Sequence, residues 1–466
     1  MAISLLVSTL PAMTADWPQF RGPNGAGVAE RERLPDQIRP GEELWQVPVR
    51  PGHSSPVVAK GHIYVTATTG EELFTIAFDA GSGKELWKRQ APRERREHLD
   101  KRNHPASPSA TADRDRVVVF FPDFGLLAYD HSGRELWQVR LGPFDNSYGM
   151  GASPVLVDGK LILVCDQSKN SFIAAFDART GRPAWKRERP HAISGHSTPA
   201  IYRVGSSTFV LAPGSFRMDS YDAETGEPVW WLEGLPSEMK SVPVVDGDTV
   251  FISGYNLAEN EPGRQIRLPS FKEVLAKHDK NGDGLLTRSE SPDEMTRRYF
   301  PFVDLDHNGQ MDEREWGIFA AAFRAENSLQ AVRLTGRGDV TARNVIWKYH
   351  RSIPQLPSVL AYRGDIYMIN DNGVLTILEA ATGKLRRQFR LNGVSGAYFA
   401  SPVAGDGKII FVSHEGIVTV LRAGGDYDVL STGEFDETVF ATPAIADGKL
   451  YIRTASRLFC FAGKKD

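Results

Sequence analysis

A unit of fewer than fifty residues, repeated along almost the whole chain, limits what this sequence can become. Residues 151–185 show it most plainly. They read Gly-Ala-Ser-Pro-Val-Leu-Val-Asp-Gly-Lys-Leu-Ile-Leu-Val, then a short polar loop, then Phe172-Ile-Ala-Ala-Phe-Asp-Ala-Arg-Thr-Gly-Arg-Pro-Ala-Trp185. Two apolar runs flank an Asp-Gly hairpin signal, and another turn follows at residues 177–181. The spacing predicts about four short strands per unit. Such a sheet cannot bury both of its faces alone, so neighbouring units must stack.

Each unit opens on a small or apolar residue followed by proline: Ser55-Pro56, Ser107-Pro108, Ser153-Pro154, Thr198-Pro199, Val242-Pro243, Leu356-Pro357, Ser401-Pro402 and Thr442-Pro443. That makes eight units, spaced 41 to 52 residues apart except for an interval of 114 between Pro243 and Pro357. The second half of a unit is a turn and an outer strand, as in Asp79 to Gly83 with Trp87, Asp130 to Gly133 with Trp137, and Asp222-Ala-Glu-Thr-Gly226 with Trp230. Asp accepts backbone N–H groups in such a turn, Thr does so more weakly, and Gly takes the left-handed position. The Trp then packs between neighbouring sheets, so these are fold residues rather than ligand residues.

The last unit stops after residues 458–461 without a fourth strand. Residues 43–47, Glu-Leu-Trp-Gln-Val, repeat residues 135–139, which end a unit. They can supply the missing strand and close a ring, which removes the free sheet edges of an open stack. The expected fold is all-β: an eight-bladed β-propeller with N-terminal strand closure, plus a small α-helical insertion. Residues 1–15 read as a signal segment, 16–42 as a segment wrapping over the body, 43–264 and 328–466 as the propeller, and 265–327 as the insertion.

Within the insertion, helical spacing at residues 271–278 leads into Asp279-Lys-Asn-Gly-Asp-Gly-Leu-Leu-Thr-Arg-Ser-Glu290. Calcium takes about seven oxygens, and a twelve-residue loop offers them at fixed offsets. Asp279, Asn281 and Asp283 fill the first three ligand positions, and Gly284 makes the sharp turn. The Leu285 carbonyl, Thr287 and a bidentate Glu290 complete the shell. A second loop supplies Asp304, Asp306, Asn308, the Gln310 carbonyl, Asp312 and Glu315, with Gly309 at its turn. The two loops resemble a pair of EF-hands, so up to two calcium ions are expected. They start 25 residues apart, which shortens the helices between them.

With 55 basic and 58 acidic residues the net charge is −3, so neither nucleic acid nor a membrane surface is the expected partner. The two cysteines, Cys165 and Cys460, lie in apolar runs of distant units and read as buried free thiols. No apolar run reaches the ~18 residues of a membrane span. Residues 1–15 resemble the apolar end of a secretory signal without its basic start, which favours export to a periplasm or the outside.

The pattern Ala-x-Asp-x-x-Thr-Gly-x-x-x-Trp, seen at residues 175–185 and nearly so at 220–230, resembles the repeat of the pyrroloquinoline-quinone-like propellers. That superfamily includes quinoprotein alcohol dehydrogenases, which hold the quinone, calcium and a catalytic Asp in the funnel. It also includes the outer-membrane-assembly lipoprotein propellers, which have no enzymatic role. The resemblance implies the fold; activity must be argued from the site. The dehydrogenases cover their quinone with a disulfide between neighbouring cysteines, which this sequence lacks, and no motif matches their calcium triad.

One constellation marks a site at the channel mouth. His53, His104 and His196 each lie three or four residues before a unit's proline; Lys240, Phe399 and Phe440 hold the same place elsewhere, with Tyr148 and Tyr398 close by. These residues suit an anion, a quinone or a metal, or else form a hydrated rim. The expected function is an exported, calcium-binding propeller that acts as a scaffold for a protein or cell-envelope polymer. The enzyme alternative is a pyrroloquinoline-quinone-dependent dehydrogenase of alcohols or sugars.

Overall fold

Eight four-stranded antiparallel units stand around a central channel in the computed structural model of the protein, which describes residues 16–30, 33–391 and 396–463. The signal segment expected at residues 1–15 lies outside the described residues. The third blade shows the build: Val155–Val157, Lys160–Cys165, Phe172–Asp177 and Pro183–Glu188 pair in chain order from the channel outward. The eighth blade is closed as the sequence suggests. Trp45–Pro48 pairs antiparallel with Arg457–Ala462, placing Trp45 opposite Cys460.

The repeat signature has a packing explanation. Across four of the outer strand pairs, Trp87, Trp137, Trp185 and Trp347 stand opposite Ala77, Ala128, Ala175 and Ala331. The small residue leaves room for the indole to lean onto the next blade. There the indole N–H donates to a turn carbonyl: Trp137 to Ala178 at 3.0 Å, Trp185 to Ala223 at 3.1 Å and Trp347 to Ala380 at 3.0 Å. The turn glycine receives the ring. A Cβ at Gly181 would lie 2.6 Å from Trp137. Where the outer strand carries Arg387 or Ser431 instead, the opposite residue is the larger Ile377 or Val420.

A second device ties the blades at the axis. The Ser55 amide donates to Ser109 Oγ, Ser109 to Ser153 and Ser153 to Thr198, each at 2.9–3.0 Å. The series resumes as Val242 to Ser358, Ser358 to Ser401, Ser401 to Thr442 and Thr442 back to Ser55. This hydroxyl hoop fixes the true register. In the second and sixth blades the hoop residue follows the proline, so Pro108 and Pro357 sit two positions out of step with the others.

The hoop is interrupted only between Thr198 and Val242, because valine has no hydroxyl. Trp230 likewise turns back into its own blade, donating to Tyr202 Oη at 2.8 Å. The seam between the fourth and fifth blades is instead stitched on the outside by Gly338–Asp339, which pairs parallel with Trp230 and Trp231 as a fifth strand.

The first part of the segment expected to wrap over the body crosses the channel. Trp17 bridges to Val58, the Ala112 amide donates to the Pro18 carbonyl, and the Ile201 amide donates to Asn24 Oδ1 at 2.9 Å. The buried Arg21 guanidinium donates to the Gly25 and Val359 carbonyls. One end of the channel is thereby plugged.

The insertion leaves the fifth blade after Thr249–Gly254 and returns at Ser328–Arg333, which pair with each other. It holds α1 (Phe271–His278), α2 (Glu294–Val303) and α3 (Glu313–Arg324). Their apolar faces meet in a small separate core around Phe271, Phe300, Trp316 and Phe323.

Candidate functional site

The inner strands begin at one mouth of the channel, and the residue two positions before each hoop member lines that mouth. Around the circle these are His53, Ser107, Gly151, His196 and Lys240, followed by Leu356, Phe399 and Phe440. The first five to the fifth blade are polar or small; the last three are apolar. With Phe20 of the plug contributing to the wall, they enclose a cavity of about 350 Å³.

On the apolar side the rings form a row. His53 stacks on Phe440 at 3.7 Å between centroids, and Phe440 is parallel to Phe399 at 5.2 Å. His414 meets both phenylalanines edge-on at 4.6 Å. On the polar side, Lys240 is paired with Glu238 at 3.1 Å, and Arg102 with Asp100 at 2.7 Å. Tyr148 stands edge-on to His196 at 6.0 Å, with the Arg102 guanidinium over its ring.

Burial holds the mouth histidines neutral. The His53 imidazole is pushed down to about 3 by burial and then by His104 and Arg453 nearby; His196 falls to about 4 by burial and then by Lys240. Burial raises the Asp371 carboxyl, on the neighbouring hairpin of the sixth blade, against the pull of Lys240.

Not every residue singled out in the sequence reaches the mouth. Tyr398 does not: it is fully buried in the core between the sixth and seventh blades, and its neighbour Phe399 faces the cavity instead. Adjacent residues in extended backbone point to opposite sides, so only one of the pair can line the channel. His104 is not a ring member either, since its unit's proline is out of step. Its Nδ1 accepts the Ala106 amide at 3.1 Å, and its ring lies 5.0 Å from His53. The three histidines therefore do not converge: His53 and His104 sit together and His196 stands apart with Tyr148 and Lys240. Asp100, Arg102 and Glu238 line the cavity but were not singled out in the sequence, being carried on loops without a repeat signal.

The two loops of the insertion are joined back to back by Leu286–Thr287 and Gln310–Met311, with Leu286 opposite Met311. In each loop the last glutamate accepts amides from the second and ninth positions: Glu290 from Lys280 and Thr287, Glu315 from Leu305 and Asp312. Asp279 and Asp304 each accept the turn glycine amide, from Gly284 and Gly309. Asn281, Asp283 and Asn308 brace the turns in the same manner. In the second loop, oxygens of Asp304, Asp306 and Glu315 come within 4.8 Å of one another, the one such carboxylate group among the described residues. This loop also touches the propeller, through Asp306 to Lys169 and His307 to Asp145, both at 3.4 Å.

Residues 37–208 match the family described as outer membrane protein assembly factor BamB. A BamB of Burkholderia pseudomallei is 28% identical over 225 residues, 46% of this chain and 54% of that protein. The quinohemoprotein alcohol dehydrogenase ADH IIB of Pseudomonas putida is 27% identical over 137 residues, 28% of this chain and 19% of that protein. The chain thus spans about half the length of the first relative and less of the second. Among solved structures, a europium-containing methanol dehydrogenase superposes with a TM-score of 0.62 at 10% identity, covering 96% of this chain and 98% of that one, which is a likeness of fold.

A quinone with its cation is the group such a propeller implies, and the donor set tests it. No group of three His, Cys or carboxylate ligands gathers at the mouth among the described residues. Both cations there are already held by their own carboxylates. Cys165 and Cys460 are buried in the third and eighth blades and cannot cap the funnel. Among the described residues, the mouth of this propeller does not gather the donors that would seat a calcium-bound anionic quinone.

Proposed function

We propose that this protein is an exported, calcium-binding propeller that works as a binding module or assembly scaffold, presenting its mouth and insertion to another protein or an envelope polymer. The carrying observation is the internally neutralised mouth, where Lys240 and Arg102 are each paired with a carboxylate. The match of residues 37–208 to an outer membrane protein assembly factor supports the same reading. In this proposal the loops at residues 279–290 and 304–315 hold calcium, and the ions order the insertion rather than signal. Extracellular sites of this kind bind at about 10⁻⁴–10⁻³ M and stay filled where calcium is abundant.

The second reading, a quinone-dependent alcohol dehydrogenase, is favoured by the 27% identical segment of ADH IIB. One experiment separates the two. Purified protein with calcium is titrated with pyrroloquinoline quinone while tryptophan fluorescence and dye-linked alcohol oxidation are followed. The scaffold reading expects neither saturable quenching nor turnover; both together would replace it with the enzyme.

A further inference from the structure

We propose that the funnel mouth binds a neutral saccharide unit, its hydroxyls on the paired side chains of the second to fifth blades and its C–H face against Leu356, Phe399 and Phe440. The inference rests on the reading of this propeller as a binding module and names the ligand.

Three properties of the cavity lead there. Its volume, about 350 Å³, lies within the ~300–1,000 Å³ of small-ligand sites. Its polar wall presents donors and acceptors side by side, as Arg102 with Asp100 and Lys240 with Glu238. Its opposite wall is a continuous row of rings.

Each feature selects against another class of ligand. A polyanion meets Asp100 and Glu238, and the two cations lining the cavity among the described residues, Arg102 and Lys240, are already paired with them. A hydrocarbon would strip water from two ion pairs and return no hydrogen bonds. A peptide entering as an added strand needs free backbone groups, yet the amides of the hoop positions are already bound to Ser and Thr hydroxyls. A hydroxyl both donates and accepts, so two neighbouring hydroxyls can satisfy a cation–carboxylate pair without adding charge. The neutral imidazoles of His53 and His196 suit the same ligand, and His196 Nε2 has no partner of its own. Asn256 and Leu257, where the insertion departs, border the cavity and extend the site toward a second unit.

The test uses the full chain in calcium buffer, titrated calorimetrically at pH 7 with four probes: maltotetraose, cellotetraose, tetraacetylchitotetraose and tetragalacturonate. The expected result is saturable binding of at least one neutral probe below ~10 mM, with tetragalacturonate weaker. Lys240→Met should weaken that binding at least about tenfold, as should Phe440→Ala. Asp100→Asn is a further variant on the half-buried rim, in case Phe440→Ala fails to fold; circular dichroism checks each. No binding of any neutral probe, preference for the uronate, or equal binding by the Lys240 and Asp100 variants would each overturn the proposal. Quinone turnover in the earlier assay overturns the module reading itself. A silent quinone assay with silent saccharides removes this inference alone.

Discussion

Gly181→Ala isolates the packing of an indole onto the neighbouring blade. Gly181 has φ +72, and a Cβ there would stand 2.6 Å from Trp137 Cε3 and 2.8 Å from Cδ2. Two costs add. A left-handed conformation costs an L-residue roughly 1–2 kcal/mol, and forcing a methyl into a packed interface costs about 1–3 kcal/mol more. The expected loss is about 2–5 kcal/mol. Gly159, in the same blade, provides the control: its φ is +73, and nothing lies within 4 Å of the added Cβ. Gly159→Ala should therefore lose only the backbone part, roughly 1–2 kcal/mol. Urea unfolding followed by far-UV circular dichroism gives both values. Equal destabilisation by the two variants would refute the argument that the turn glycine exists to receive the ring.

Three further outcomes are expected. Burial holds His53 at about 3 against an ordinary 6.5, so the unfolded chain takes up its proton first as pH falls; stability is full above pH 6.5 and drains toward pH 3. His53→Phe keeps the stack on Phe440 and should flatten part of that slope, read from urea midpoints at several pH values; an unchanged slope contradicts it. Asp219 is pushed up by burial but held at about 2, below its ordinary 3.8, by the His191 hydrogen bond and by Arg189 and Arg217. Its contribution is present above pH 3.8 and lost toward pH 2, and Asp219→Asn should cost about 3 kcal/mol at pH 7 because the buried Arg189 loses a partner; a loss under about 1 kcal/mol would count against it. Calcium at ~10 mM should stabilise the insertion by about 1.4–2.7 kcal/mol per filled loop. Chelator and Glu315→Gln should each lower its melting midpoint, and indifference to both would remove calcium from the account.

The ring was legible because its signals are local and repeated. An Asp or Glu, a Gly and a Trp at fixed spacing report a turn and the indole that leans on the next one, and Ala175 opposite Trp185 is the same fact seen across the sheet. What escaped was set by tertiary context. Proline fits either side of the hoop residue, because the inner strand borders the channel and its edge tolerates a missing N–H; Pro108 and Pro357 therefore misaligned their units and made His104 look like a ring member. Tyr398 and Phe399 are adjacent aromatics, and only the strand's facing decides which meets the cavity. Gly338–Asp339 pairs with a strand about a hundred residues earlier, and no periodicity announces that.

The pairing of Trp45 with Cys460 sets the order in which the molecule can be finished. Seven blades can assemble from neighbouring segments, whereas the eighth joins residues 45–48 to a strand some four hundred residues later. During synthesis the growing arc keeps one bare flank until the final hairpin emerges, and contacts of such long separation form slowly. The ring therefore behaves as a clasp that shuts last. Losing the short stretch at residues 45–48 would leave a whole wheel unfastened.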